Sequence, residues 1–247
     1  MSDTASHPDL SGRHVLIPGG TGTVGEGAVR AYLAAGADVV VPSRTQARAD
    51  ELGARLADVP TGRLHLVVHD YTTFAGAAGL VETMVDRLGS VDDVVAPIGG
   101  WWWGKRLWEI DEADWQAAFV DLATAHMAVA RAALPRLSRR GAYSIVVGQS
   151  ANVPVAGSGL VSMEQSALQM LHRVLVAEAE DSRRVFLLEL GPVASGPATS
   201  ADPGQLTAEQ VGAVVVAASA LPAAGRHLEL PDGAGAEDAV AQLRAAA

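Results

Sequence analysis

Gly19, Gly20, Gly22 and Gly25, with Thr21 and Thr23 between them, carry the first chemistry legible in this sequence. A turn without Cβ atoms lets backbone N–H groups approach a pyrophosphate, and a helix starting there adds a favourable partial charge. The elements that such a turn needs surround it. His14 to Pro18 is a short apolar run suited to a buried parallel strand, and Val24, Ala28, Val29, Tyr32 and Leu33 then recur at helical spacing. Gly36 closes that helix, and Ala37 to Val41 reads as a second strand. The unit predicts an anion-binding turn; a glycine-rich strand-to-helix turn with no ligand is the plainer alternative.

Four of the five tryptophans, Trp101, Trp102, Trp103 and Trp108, stand close together after an apolar run at Val91–Ala96. Either they wall a pocket for a flat apolar or cationic ligand, through stacking or cation–π contact, or they pack within the fold or a subunit interface. His65 and His69 lie four apart on a predicted strand, and His126 and His172 stand singly on predicted helices. All four read as packed or surface residues, and no metal is expected. With no cysteine, disulfides, thiol nucleophiles and cysteine metal sites are excluded.

The remaining elements alternate along the 247 residues. Thr45 caps a polar helix running to about Asp58; Arg63–His69 is a third strand; Thr73–Leu88 is a helix ended by Gly89; Val91–Ala96 is a fourth strand. Glu112–Ser138 reads as one long helix with Pro135 disturbing its last turn, followed by a strand at Ala142–Val147 and a helix at Gly159–Glu180. Val185–Leu190, Thr207–Ala220, Arg226–Leu230 and an alanine-rich terminal helix complete the chain. This alternation predicts one α/β domain, a Rossmann-type doubly wound parallel sheet of about seven strands, with residues 1–12 as a flexible tail. Ligands of such sheets sit at the carboxyl ends of the strands. A net charge of -10 argues against nucleic-acid or anionic-membrane surfaces. No run reads as a signal peptide or membrane span, so a cytoplasmic protein is expected.

Over nearly its whole length this order of elements resembles the short-chain dehydrogenase/reductase family. The turn Gly19-Gly20-Thr21-Gly22-Thr23-Val24-Gly25 is similar to that family's cofactor turn in its G-x-x-G-x-x-G spacing. Asp70 matches an aspartate that holds the adenine, and residues 113–137 resemble the long interface helix. Ser150 stands where the family has its catalytic serine. Leu190-Gly191-Pro192-Val193-Ala194-Ser195 resembles the stretch that meets the nicotinamide amide, and His227–Gly233 the last strand and its turn. The resemblance implies a dinucleotide bound by Gly19, Thr21, Gly22, Thr23, Val24, Gly25, Ser43, Arg44, Asp70, Ala96, Ile98, Gly191, Val193 and Ser195. It also implies a homodimer or homotetramer. Arg44 after Ser43, where NAD-binding turns place an acid, favours the 2′-phosphate of NADP(H); a solvated loop arginine is the alternative.

The departures concern the chemistry. Ala96-Pro97-Ile98-Gly99 replaces the family's Asn-Asn-Ala-Gly, and its catalytic asparagine falls on Asp121. Counting thirteen residues from Ser150 places the Tyr-x-x-x-Lys pair on Met163 and Ala167, so both functional groups are absent. Neither Tyr32, Tyr71 nor Tyr143 stands where it could substitute, and the one lysine, Lys105, lies in the tryptophan loop. Ser150 and Asp121 remain as catalytic candidates, Asp121 either as a buried acid of raised pKa, as a carboxylate stabilising a cation, or as a group with no chemistry. Trp101, Trp102, Trp103, Asn152 and Met163 are the candidate substrate pocket; Gln149 and Asn152 either bind substrate or satisfy backbone groups. Glu164 reads as a surface or interface charge. Three functions follow: an atypical NADPH-dependent reductase of an imine, iminium or activated alkene; a non-redox isomerase, lyase or cyclase on the same fold; or a non-catalytic nucleotide-binding protein.

Overall fold

The computed structural model describes residues 8–59, 62–179, 182–194, 202 and 204–246. Seven parallel strands, β1 (His14–Leu16), β2 (Asp38–Ser43), β3 (Arg63–Val68), β4 (Val91–Ala96), β5 (Leu137–Gly148), β6 (Arg184–Leu190) and β7 (His227–Leu230), form one sheet in the order β3-β2-β1-β4-β5-β6-β7. The order reverses between β1 and β4, where a doubly wound sheet opens its ligand crevice. One face is covered by α1 (Thr23–Ala34), α2 (Gln46–Arg55), α7 (Ala208–Ala220) and α8 (Gly233–Ala245), whose apolar sides join Val15, Val39 and Leu188 in one core. The other face carries α3 (Phe74–Leu88), α5 (Asp121–Ala133) and α6 (Gly159–Ala179) over Leu16, Val94, Ile145 and Leu187. Helices α1 and α7 cross at Gly27 and Gly212, where a Cβ on either would strike the other helix's backbone.

Most boundaries follow local signals. Thr73 caps α3 by accepting the Gly76 N–H, and Gly89 ends it at φ 91°, a left-handed position that suits glycine. Three expectations are corrected. Residues 8–12 are no free tail, since Leu10 is buried and its N–H bonds the Ala35 carbonyl. The helix expected over Glu112–Ser138 is broken into α4 (Glu112–Trp115), a π-helical turn at Gln116–Val120, α5 and a short 3-10 turn at Leu134–Arg136 around Pro135. Strand β5 therefore begins at Leu137, and a register shift opposite Val91–Asp93 absorbs the extra residues before Ala142. Residues 112–136 are also long and apolar enough to cross a membrane by length and composition. Here they pack on the sheet through Ala125, Val129 and Ala133.

Candidate functional site

The glycine turn sits at the carboxyl end of β1 and opens directly into α1. Gly19 has φ 86°, which a Cβ would strain, and Cβ atoms on Gly19, Gly20 or Gly25 would press into neighbouring backbone or Val41. No side chain caps α1 at Gly22, so the first N–H groups, at Thr23, Val24 and Gly25, remain for an outside acceptor. Gly22 and Thr23 are exposed, and Thr21 and Val24 partly so. Arg44 is exposed just after β2, and Arg48 is exposed in the first turn of α2. Arg44 makes no hydrogen bond or ion pair with the described residues but lies close enough to Asp70 to lower its pKa. The Thr72 hydroxyl and amide, which donate to Asp70 Oδ1, are the larger cause of that lowering. Ser43 is turned inward, its hydroxyl donating to the Thr45 carbonyl at 2.9 Å, so the outward group here is Arg44. These residues suit a dinucleotide: an uncapped helix start for the pyrophosphate and a free guanidinium for a further phosphate.

Across the crevice, β4 ends at Ala96, and the Ile98 carbonyl accepts a hydrogen bond from His126 Nε2 at 2.7 Å. Burial lowers the His126 pKa to about 4, so the ring is neutral near pH 7 and fixes this loop without adding charge. Gly191 follows β6 with its N–H on the Leu230 carbonyl, and a Cβ there would collide with the Pro231 carbonyl. Val193 pairs with Leu206; Ser195 lies outside the described residues.

Ser150 occupies a 3-10 turn at Gln149–Ala151, directly after β5. The inward stripe of α6 is Leu160, Val161, Glu164, Gln165, Leu168, Gln169 and His172, and Met163 and Ala167 lie on its exposed side. Met163 nevertheless lines the same cleft as Ser150, so the position counted from Ser150 for the tyrosine faces that cleft with a thioether in place of a hydroxyl. Within α6 there is no tyrosine or lysine on any face, so the missing hydroxyl and ammonium stay missing. Glu164 corrects the surface reading: it is fully buried, and burial pushes its carboxyl up to about 7. The sequence signal was present, because Glu164 stands four residues from both Leu160 and Leu168 on one apolar stripe. Asp121 is exposed and accepts from Gln116 Nε2 at 2.6 Å, which removes the buried-acid alternative of the three open for it. The Asn152 amide is committed, donating to both oxygens of Glu189 at 2.8 Å, and Glu189 also meets Gln169 Nε2 at 2.9 Å and His227 Nε2 at 3.0 Å. Neither Gln165 nor Glu189 stood out in the sequence, because Gly148 and Asn152, which they hold, lie 17 and 37 residues away.

A cleft of about 380 Å³ beside Ser150 is lined by Phe119, Asn152, Ser162, Met163 and Ser166 among others, with no charged side chain among the described residues. Trp115 stacks on Phe119 at 4.5 Å. The tryptophan loop is pinned nearby. Trp102 Nε1 and Lys105 both bond Asp114, Ser158 Oγ donates to the Trp102 carbonyl, and Gly104 N–H donates to the Gly157 carbonyl. Trp101, Trp103 and Trp108 stay exposed, and among the described residues no tryptophan lines the cleft beside Ser150. His65 and His69 lie on and just after β3, and no group of three metal-ligating side chains occurs among the described residues.

A seven-stranded parallel sheet with an uncapped glycine turn at its switch point is a Rossmann-type dinucleotide-binding fold. The short chain dehydrogenase family model matches residues 13–205, and the chain belongs to that family. A 5-hydroxy-7a-methyl-1-oxo-hexahydroindene-carboxyl-CoA reductase of Mycobacterium tuberculosis is 35% identical over 40% of this chain and 38% of its own length. A 1-deoxy-11-beta-hydroxypentalenate dehydrogenase of Streptomyces exfoliatus is 30% identical over 68% of this chain and 62% of its own. These matches span less than two thirds of the relatives' length. Among solved structures, an alcohol dehydrogenase of Thermococcus sibiricus complexed with 5-hydroxy-NADP covers 88% of this chain and 95% of its own at TM-score 0.78 and 21% identity. An NADH-dependent reductase complexed with NAD covers 92% and 97% at TM-score 0.76 and 23% identity. The relatives of known structure therefore bind NAD in one case and an NADP derivative in another.

Proposed function

We propose that this protein is an NADP(H)-dependent reductase whose substrate accepts hydride without a strong protein acid: an imine, an iminium or an activated alkene. The observation that supports the cofactor is the glycine turn opening into an uncapped α1, with Arg44 exposed beyond β2. In this reading the N–H groups of Thr23, Val24 and Gly25 hold the pyrophosphate, Arg44 the 2′-phosphate and Asp70 the adenine side. Ala96, Ile98, Gly191 and Val193 line the nicotinamide half. When bound, the cofactor supplies a hydride. Ser150 supplies a hydroxyl donor to the substrate atom that gains electron density. Trp101, Trp103 and Met163 offer apolar surface to a ring system.

Between the substrate classes, an uncharged cleft and an exposed Asp121 favour a neutral alkene conjugated to a carbonyl over a cationic iminium. An isomerase or lyase on the same residues is the second reading, because α6 lacks the tyrosine and lysine of an alcohol dehydrogenase. Exposed Met127, Met163, Met170 and Val174 on α5 and α6 support a homodimer or homotetramer through these helices. Fluorescence titration tests the cofactor assignment: wild type should bind NADPH at least tenfold tighter than NADH, and Arg44→Ala should remove most of that preference. Equal wild-type affinities for the two would refute the NADP assignment. Matched panels of enones, imines and ketones then separate the substrate classes, with Asp121→Asn impairing only a cationic substrate.

A further inference from the structure

Helix α6 carries neither tyrosine nor lysine, yet the Ser150 turn is gripped on both flanks. Before the turn, the Gly148 N–H donates to Gln165 Oε1 at 2.5 Å. Within and after it, Ser166 Oγ donates to the Ala151 carbonyl at 2.6 Å, and Asn152 is held by Glu189. The Gln165 amide is itself fixed, because its Nε2 donates to Glu164 Oε2 at 2.7 Å.

An amide has one accepting and one donating end. A carboxyl oxygen at one end and a peptide N–H at the other satisfy a single orientation. Flipping Gln165 would set its NH2 against the Gly148 N–H and lose that bond. Gln165 Oε1 and Ser150 Oγ lie 3.9 and 3.6 Å from the point that a Cβ on Gly148 would occupy, so the amide and the serine hydroxyl share one corner of the site. Glu164 is costly where it stands. It interrupts an apolar stripe, and no described residue reaches its Oε1. The one hydrogen bond its carboxyl makes among the described residues is accepted from Gln165 Nε2.

The geometry points to Glu164 and Gln165 as positioning residues of this site: Glu164 orients the Gln165 amide, Gln165 holds the Gly148 amide, and the Ser150 hydroxyl is thereby presented to the nicotinamide end of the cofactor. The inference rests on the NADP(H) reading above. Neither residue touches substrate in it. A hydrogen-bonded strut supplies the rigidity that a site with a single hydroxyl donor needs.

The test follows the Gly148 amide by NMR in the 15N-labelled full chain, alongside titrations with NADPH and with adenosine 2′,5′-bisphosphate, which fills only the adenine end. Gln165→Leu and Glu164→Leu should move the Gly148 proton upfield, speed its exchange and weaken NADPH about tenfold, the equivalent of one lost hydrogen bond. Both should leave adenosine 2′,5′-bisphosphate affinity unchanged. Glu164→Gln, which can still accept from Gln165, should restore the amide signal and the NADPH affinity. An unaltered Gly148 amide and NADPH affinity in Gln165→Leu would overturn the inference. Equal weakening of both ligands would overturn it in favour of a general loss of structure. If wild type bound neither NADPH nor NADH, the cofactor reading would fall, and the Gly148 amide would still decide whether the strut exists.

Discussion

Replacing Glu164 by Gln should change how stability depends on pH. Burial raises the Glu164 carboxyl from 4.5 to about 7 in the folded state, opposed only by the Gln165 hydrogen bond. A carboxyl that holds its proton more tightly when folded stabilises the fold fully below its unfolded pKa. That contribution is lost as pH rises through the folded value, because ionising the buried group then works against folding. The displacement from 4.5 to about 7 corresponds to about 3 kcal/mol, of which about 2 kcal/mol falls between pH 5.5 and 8.5. Glu164→Gln keeps the size of the side chain and cannot ionise. Subtracting its unfolding free energy from that of wild type cancels every other titrating group. The difference should therefore drift by about 2 kcal/mol against wild type as pH rises over this window, leaving the variant relatively more stable at pH 8.5. Urea unfolding followed by far-UV circular dichroism at pH 5.5, 7.0 and 8.5, at fixed protein concentration, measures it. A gap constant to within about 0.5 kcal/mol across the three would show that Glu164 does not titrate in this range and that the burial argument is wrong.

Two further substitutions probe the supports behind the site. Tyr143 is fully buried and its hydroxyl finds no partner among the described residues, so Tyr143→Phe should be neutral or stabilise by up to about 1 kcal/mol in urea melts; a clear loss would reveal a partner for that hydroxyl. Asp93, also fully buried, accepts from Arg13, the Ala142 N–H and Ser219 Oγ, tying β4 to β5 and α7; Asp93→Ala strands the guanidinium and should cost about 3–5 kcal/mol, and a loss below about 1 kcal/mol would contradict that network.

Sequence alone determined the alternation of strands and helices, the glycine turn, the family and many element boundaries. Each rests on local physics: Val91–Ala96 is an apolar run of strand length, Thr73 and Gly89 bracket α3 with a cap and a left-handed stop, and the glycines allow a turn that other residues would strain. The absence of tyrosine and lysine from α6 was equally plain. Only the tertiary structure decided which way the remaining polar groups face. A count from Ser150 named Met163, which lines the Ser150 cleft, while packing against β5 and β6 set Gln165 and Glu164 inward on another face of α6. Whether Asp121 is a buried acid or an exposed carboxylate was open in the sequence, and folding leaves it exposed, bonded to Gln116 just after the π-helical turn. Asn152 was open to substrate or to backbone groups, and its amide is taken by Glu189, thirty-seven residues away. A carboxyl group's partner and its burial depend on chain segments brought together by folding, and neither can be read from its neighbours in sequence.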